Sequence, residues 1–260
     1  MTHKQGTSMT ITRETKKRGD IEWHAYHCAE HGAQDFPGCT TMLGKKDKGY
    51  PFQSWLKRQG ALAAIRNLAA LSQMVETSGE EATTKFLAAA ADKLRDDAGD
   101  RGTRIHDCAD KMWTRQPFQA EPDILPDVEH LRDWANGRKP KVLASEFMVI
   151  SEKHRYGATG DLLIESDLRE WGLPEERATI LIDVKTSKAA YAETALQLAA
   201  IRWADHSEAP IETATHYGVL HVRPDGTKLI PYNVTEREYQ AFLACATLYY
   251  WDKTRAKEIK

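Results

Sequence analysis

Apolar positions fall into two regimes along the chain. From Pro51 to about Val75, residues Trp55, Leu62, Ile65, Leu68, Ala69 and Leu71 recur at helical turns and predict an amphipathic helix. A second helix is predicted from Glu80 to Asp97 around an Ala-rich centre, with Asp100-Arg101-Gly102 expected to interrupt it. A third runs from Thr103 to about Thr114, with Ile105, Cys108, Ala109 and Met112 on one face, and a fourth from Pro126 to Asn136. The period then changes. Lys141–Ser151 and Tyr156–Glu165 read as strands, and Thr179–Lys185 is a β-branched and apolar run typical of a strand buried on both faces. A helix is expected from Ala189 to Ala204, then strands at Thr213–Val222 and Lys228–Tyr232 joined by the turn Pro224-Asp225-Gly226. Thr235 with Glu238 three residues on is a capping box that opens a last helix. This order predicts an α/β fold: a mixed central sheet flanked by helices, with a helical N-terminal elaboration.

Ahead of these elements, residues 1–20 read as a polar, flexible lead-in with a basic run at Lys16, Lys17 and Arg18. Residues 21–43 carry Trp23, Tyr26, Phe36, Met42 and Leu43 between Gly and Pro punctuation and predict short strands or a hairpin. The expected organisation is one domain over 21–260, with a helical part at about 51–137 and a sheet part at about 140–260.

Composition narrows the class. A chain of 260 residues that is 41% hydrophobic can fill a core, which excludes wholesale disorder. No unbroken apolar run is longer than Phe86 to Ala91, far short of the ~18 residues of a membrane-spanning helix. No apolar stretch precedes a small-residue cleavage site near the N-terminus, so a cytoplasmic location and no membrane partner are expected. With 36 Lys+Arg against 38 Asp+Glu the chain is not a generally basic coat protein, although a local basic groove remains open. Cys28, Cys39, Cys108 and Cys245 form no C-x-x-C pair, and free thiols are expected. His24, His27, Cys28 and His31 are all metal-ligand types. Four ligands from so short a segment would need an unusually tight loop, and a polar strand and turn is preferred.

The segment from Gly157 to Lys185 carries the chemistry. Asp161 follows Gly157-Ala158-Thr159-Gly160 and precedes Leu162, Leu163 and Ile164, so a carboxylate opens a buried strand. Asp183 and Lys185 sit within Ile180-Leu181-Ile182-Asp183-Val184-Lys185, where a period of two puts both on one face and Val184 on the other. Charges set in an apolar strand are costly unless compensated, and a divalent cation would compensate the carboxylates beside Lys185. Phosphodiester cleavage uses such a set: carboxylate oxygens hold a hard cation that polarises the phosphate and activates water, and a lysine orients that water.

This pattern resembles the PD-(D/E)xK nuclease superfamily, and within it the RecB-like and CRISPR-associated exonucleases in their phage-like branch. Gly102-Thr103-Arg104-Ile105-His106 resembles the family's Gly-x-x-x-His segment, Ser145-Glu146 its acidic position before the Gly-Asp turn, and Thr186 and Ser187 the polar residues after its lysine. Tyr191 and Gln197 match its downstream helix, and Pro37 to Leu43 resembles an N-terminal stretch of phage members. The resemblance covers most of residues 37–204. It implies a restriction-endonuclease-like sheet and a Mg²⁺- or Mn²⁺-dependent DNA exonuclease of recombination or repair, with DNA as partner and a recombination or single-strand-annealing protein as a second. It further implies His106, Asp161, Asp183 and the Val184 carbonyl as metal ligands, and Glu146 as an outer-shell or second-metal carboxylate. Lys185 would orient the water, and Gln197 would position Lys185 or the DNA. Thr186, Ser187, Tyr191, Lys188 and Arg104 would face DNA, in a groove that also draws on Lys111, Arg115, Lys153 and Arg155. The chain departs from the family in having Gly160 where the motif name has proline. Only Cys245 lies in its last third, which speaks against the iron–sulfur cluster of many members.

Plainer readings stand beside these. Asp161, Asp183 and Lys185 would otherwise be a turn aspartate and a structural ion pair. His106 would border an apolar helix face, Glu146 would face solvent, and Gln197 would be ordinary helix surface. At the level of function the alternatives are a nuclease-fold DNA-binding or assembly module with little catalysis, or a hydrolase of small phosphoesters.

Overall fold

The computed structural model describes residues 10–18, 21–29, 35–46 and 49–258. The chain divides into two compact units, one within residues 1–46 and 105–260 and the other within 47–104.

The first unit is built on two sheets. The smaller is antiparallel, formed by β1 (Ile11–Arg18), β2 (Ile21–Cys28) and β3 (Phe36–Pro37). The larger is mixed and six-stranded. Its strands are β4 (Lys141–Ser151), β5 (Tyr156–Leu168), β6 (Leu173–Lys185), β7 (His206–Ser207), β8 (His216–Arg223) and β9 (Gly226–Pro231), in the order β7-β4-β5-β6-β8-β9. Only β6 and β8 pair in parallel, and their crossover carries a helix, as parallel strands require. The helices in chain order are α1 (Cys39–Leu43), α2 (Gly49–Arg66), α3 (Leu68–Trp113), α4 (Leu125–Arg138), α5 (Thr194–Arg202) and α6 (Glu236–Glu258).

Helices cover both faces of the larger sheet. On one side Met42 of α1, Leu198 and Ile201 of α5, and Phe242 and Ala246 of α6 pack on Phe147, Val149, Leu163 and Leu181. On the other, Ile105, Cys108 and Ala109 of α3 and Val128, Leu131 and Trp134 of α4 pack on Leu162, Ile164, Ile180, Ile182 and Val184. Strand β6 therefore sends Leu181 into one core and Ile180, Ile182 and Val184 into the other, which is why its sequence is a near-continuous apolar run. A third small core of Ile11, Tyr26, Cys28 and Phe36 packs on Ile150 of β4 and ties the smaller sheet to the larger. The capping box forms as the sequence predicts: Thr235 N–H donates to Glu238 Oε2 at 2.8 Å, and Arg237 N–H to Thr235 Oγ1 at 3.2 Å.

Several expectations are corrected. Residues 11–18 are a strand paired along its length with β2, not part of a flexible lead-in, because Ile11 is buried against Ile150; residues 1–9 lie outside the described residues. The predicted helix from Pro51 to Val75 is divided at Asn67, between α2 and α3. Asp100-Arg101-Gly102 does not break α3: a single helix-interior glycine costs only about 1 kcal/mol, and neither Asp nor Arg forbids helix. The non-helical position is Gly79, whose φ of 82° is open to glycine and strained for other residues. Ile65 and Leu68, expected on a buried stripe, are exposed. The expected helical part, 51–137, is also divided, since α4 and the end of α3 belong to the unit of the sheet. The helix expected from Ala189 begins at Thr194. Ahead of it the carbonyls of Thr186 and Ser187 are bound by Arg223 Nη1 (3.1 Å) and His221 Nε2 (2.7 Å), and those of Ala189 and Tyr191 by the Ser187 (2.7 Å) and Tyr232 (3.0 Å) hydroxyls, which holds the chain out of helical geometry.

Candidate metal centre

The site is assembled across three neighbouring strands. The pairs Ser145–Leu162 and Phe147–Gly160 flank Glu146 and Asp161 and set them across from each other on β4 and β5. One step beyond the last paired residues of β5 and β6, Leu162 and Ile182, Asp161 comes beside Asp183. Three carboxylates thus lie in one row over adjacent strands. The row coincides with a disturbance of both β4 and β5. Glu146 has a left-handed φ of 47°, rare for a residue with a side chain. On β5, Ala158 and Leu163 enter the same core although an odd number of positions separates them, so strict alternation breaks around Asp161. Gly160 follows from the same geometry: a Cβ there would lie 2.4 Å from the Phe147 ring. The glycine before Asp161 makes room for the neighbouring strand's aromatic side chain.

His106 reaches the row from α3. Its neighbour Ile105 is fully buried and fixes the helix on the sheet, while His106 stays half-buried with Nδ1 3.8 Å from Asp161 Oδ2. One ligand atom each from His106, Glu146 and Asp161 lie within 4.8 Å of one another. Burial, and then the Asp161 anion, push the Glu146 carboxyl up to about 7, with His106 and Arg13 pulling the other way. Asp161 is oriented from behind, because Val184 N–H donates to its Oδ2 at 2.6 Å.

Asp183 is 1% exposed. It receives Lys185 Nζ on Oδ1 at 2.9 Å, and its Oδ2, 2.8 Å from the same nitrogen, finds no hydrogen bond of good geometry. Burial raises the Asp183 pKa. Burial lowers that of Lys185, but the Asp183 and Asp161 anions outweigh it, and the ammonium is held above the ordinary lysine value. Lys185 also donates to Gln197 Oε1 at 3.4 Å. Cys39 lies beneath this group, and burial together with the Asp183 charge pushes its thiol up to about 12, which makes it inert.

The structure therefore brings His106, Glu146, Asp161, Asp183, Lys185 and Gln197 together, with Val184 present through its backbone while its side chain packs in the opposite core. Within that group Glu146, rather than Asp183, belongs to the tightest set of ligand atoms. Thr186, Ser187, Lys188 and Tyr191 lie in the loop after β6. Lys188 is exposed, and Tyr191, 54% exposed, is in the loop and not on α5. Tyr232 donates its hydroxyl to the Tyr191 carbonyl at 3.0 Å and so fastens that loop to the strand end after β9. Arg104 belongs to the other unit. Of the remaining groove residues, Lys111 is paired with Asp107 at 2.6 Å and Arg155 lies over the Tyr250 ring.

The His24, His27, Cys28 and His31 segment does not converge among the described residues. Strand alternation turns His24 and Cys28 to one face of β2 and His27 to the other, where it meets Asp35 at 3.1 Å and Glu14 at 3.5 Å. His31 lies outside the described residues.

Sequence reasoning missed Arg13, Thr159, His221 and Arg223. Arg13 Nη1 donates to Thr159 Oγ1 at 3.1 Å, two positions before Asp161. His221 pairs with Lys185 in the parallel register, and its bond to the Ser187 carbonyl requires the proton on Nε2. The alternation of Ile11, Arg13 and Thr15 was the signal for the first pair; no local signal marks the second. No protein-family model and no curated protein matches this chain.

Proposed function

We propose that this protein is a Mg²⁺- or Mn²⁺-dependent deoxyribonuclease with a restriction-endonuclease-like sheet, acting as an exonuclease in recombination or repair. The observation that carries the reading is the convergence of His106, Glu146 and Asp161 ligand atoms within 4.8 Å, beside a buried Asp183 bonded to Lys185. The residues fit a hard divalent cation. One imidazole and a row of carboxylates suit Mg²⁺ or Mn²⁺, and a Glu146 carboxyl held near 7 by burial, and then by the Asp161 charge, is eased by a bound positive charge. Such an ion, when bound, supplies Lewis-acid polarisation of a phosphate oxygen and a water of lowered pKa.

The chain's own residues do the rest. His106, Glu146 and Asp161 would hold the ion, with Asp161 kept in orientation by the Val184 N–H. Asp183 fixes the Lys185 ammonium, and Gln197 Oε1 accepts one of its hydrogen bonds. Because Lys185 stays charged, it acts as a hydrogen-bond donor to the attacking water or to a phosphate oxygen and offsets developing negative charge, rather than removing a proton. The loop with Thr186, Ser187 and Lys188 follows directly and would meet the DNA backbone, with Tyr191 offering an exposed ring.

The test is degradation of linear DNA in Mg²⁺ or Mn²⁺ by the wild type, Glu146→Gln, Asp183→Ala and Lys185→Ala. Each substitution is expected to lower the rate by about a hundredfold or more. Equal rates in all four proteins reject the reading.

A further inference from the structure

The smaller sheet delivers a cation to the edge of the carboxylate row. Ile11, Arg13 and Thr15 share one face of β1, and Ile11, packed with Ile150, turns that face towards the larger sheet. Arg13 Nη1 then reaches Thr159 Oγ1 on β5 at 3.1 Å. Tyr26, opposite Arg13 on β2, holds the same Oγ1 at 3.0 Å. Its ring fills the space above Gly157, where a Cβ would lie 2.3 Å from it. Two contacts on β5 therefore lock the hairpin in place just ahead of Asp161.

A structural arginine beside an acidic cluster ordinarily takes a carboxylate. Among the described residues Arg13 makes no direct ion pair; it bonds the neutral Thr159 hydroxyl, lies beside the Tyr26 hydroxyl and acts on Glu146 only at longer range, which leaves donors of its exposed guanidinium to spare. A planar fork with donors to spare, held in place by hydroxyls and bonded to no carboxylate, is suited to a phosphate. The place of its anchor gives the scale. Thr159 lies two residues from Asp161, a rise of about 6.6 Å along a strand, comparable to the step between successive phosphates of a nucleic-acid chain.

We propose that Arg13 is a substrate-contacting residue whose guanidinium takes the phosphodiester next to the one being cut. The assignment rests on the nuclease reading and adds a DNA contact to it. It assigns the N-terminal hairpin the task of holding the strand in register over the carboxylate row.

The experiment compares wild type, Arg13→Gln, Arg13→Lys and Thr159→Val. It reads kcat and KM on linear DNA, the affinity for Mn²⁺ alone, and the salt dependence of binding to a short fluorescein-labelled DNA in a Lys185→Ala background. Arg13→Gln is expected to raise KM by about tenfold, the scale of one charge-assisted contact, and to leave kcat within about twofold. Its salt slope should fall by about 0.7–0.9. Mn²⁺ affinity should be equal or higher, since a nearby cation is gone. Arg13→Lys should recover part of the loss, and Thr159→Val, which keeps the charge but removes its anchor, should raise KM by about threefold. Unchanged KM and salt slope in Arg13→Gln, or a loss of Mn²⁺ binding parallel to that of DNA, overturns the assignment while leaving the metal centre intact. A wild type that neither binds Mn²⁺ nor degrades DNA defeats the nuclease reading itself, and the Arg13 assignment with it.

Discussion

The backbone N–H of Val184 lies 2.6 Å from Oδ2 of Asp161. The bond crosses from β6 to β5 just past the end of their ladder, so a side chain continues the pairing that the backbone has left off. It holds Asp161 in one orientation and leaves Oδ1 for another partner.

Asp161→Asn and Asp161→Ala should therefore separate charge from architecture. The asparagine can still accept from Val184, and its melting temperature should stay near that of the wild type while Mn²⁺ affinity falls by about a hundredfold. The alanine leaves the N–H without a partner and should cost a further ~1–3 kcal/mol of stability. Calorimetric Mn²⁺ titration and thermal melts measure the two effects. An asparagine variant that binds Mn²⁺ as the wild type does removes Asp161 from the ligand set.

The Asp183–Lys185 pair gives a second separation. Asp183 is buried and Lys185 is about one third exposed. Lys185→Met strands the carboxylate and should destabilise the fold by about 2 kcal/mol, less than a fully buried pair would lose. A carboxyl whose folded pKa lies above its unfolded value favours folding at low pH and loses that contribution as pH rises through the folded pKa. The loss in Lys185→Met should accordingly grow from acid towards neutral pH. Combining it with Asp183→Asn should recover most of the stability and none of the activity. Denaturant unfolding across pH checks both statements.

Much of this was legible in the chain. The β-branched run ending at Lys185 announced a central strand, and its period of two placed Asp183 beside Lys185 on one face, as found. The Thr235–Glu238 box announced α6. What stayed hidden depends on partners distant in sequence. Glu146 joins the tightest cluster because its backbone takes φ 47° on a strand that local propensity reads as regular. The strand at 11–18 escaped because its apolar partner, Ile150, is far along the chain. Residues 189–193 stay out of α5 because the Ser187 and Tyr232 hydroxyls claim the Ala189 and Tyr191 carbonyls, contacts that helix propensity does not register.

Metal loading should be coupled to protons. With Glu146 held up to about 7, the metal-free site keeps part of a proton at neutral pH, and an ion must displace it. Mn²⁺ affinity should rise with pH by up to about tenfold per unit below pH about 7 and level off above it. Calorimetry in buffers of different ionisation enthalpy counts the protons released. In Glu146→Gln the step near 7 should vanish; a pH profile identical to the wild type would remove Glu146 as its source.

Gly160→Ala pushes a methyl group into the Phe147 ring and should cost about 1–3 kcal/mol by overpacking. Phe147→Leu opens the space. A double-mutant cycle on melting free energies should give a favourable coupling of about 1 kcal/mol or more. Additive losses would mean that the two strands part without that contact.

Glu146, Asp161 and Asp183 stand on three adjacent strands, so each neighbour in the row is set about one strand spacing from the next, ~4.8 Å. Peptide geometry acts as the ruler, and no loop insertion can stretch it. If the site holds an ion as proposed, retuning towards a larger or smaller one has to come from side-chain reach, one methylene at a time.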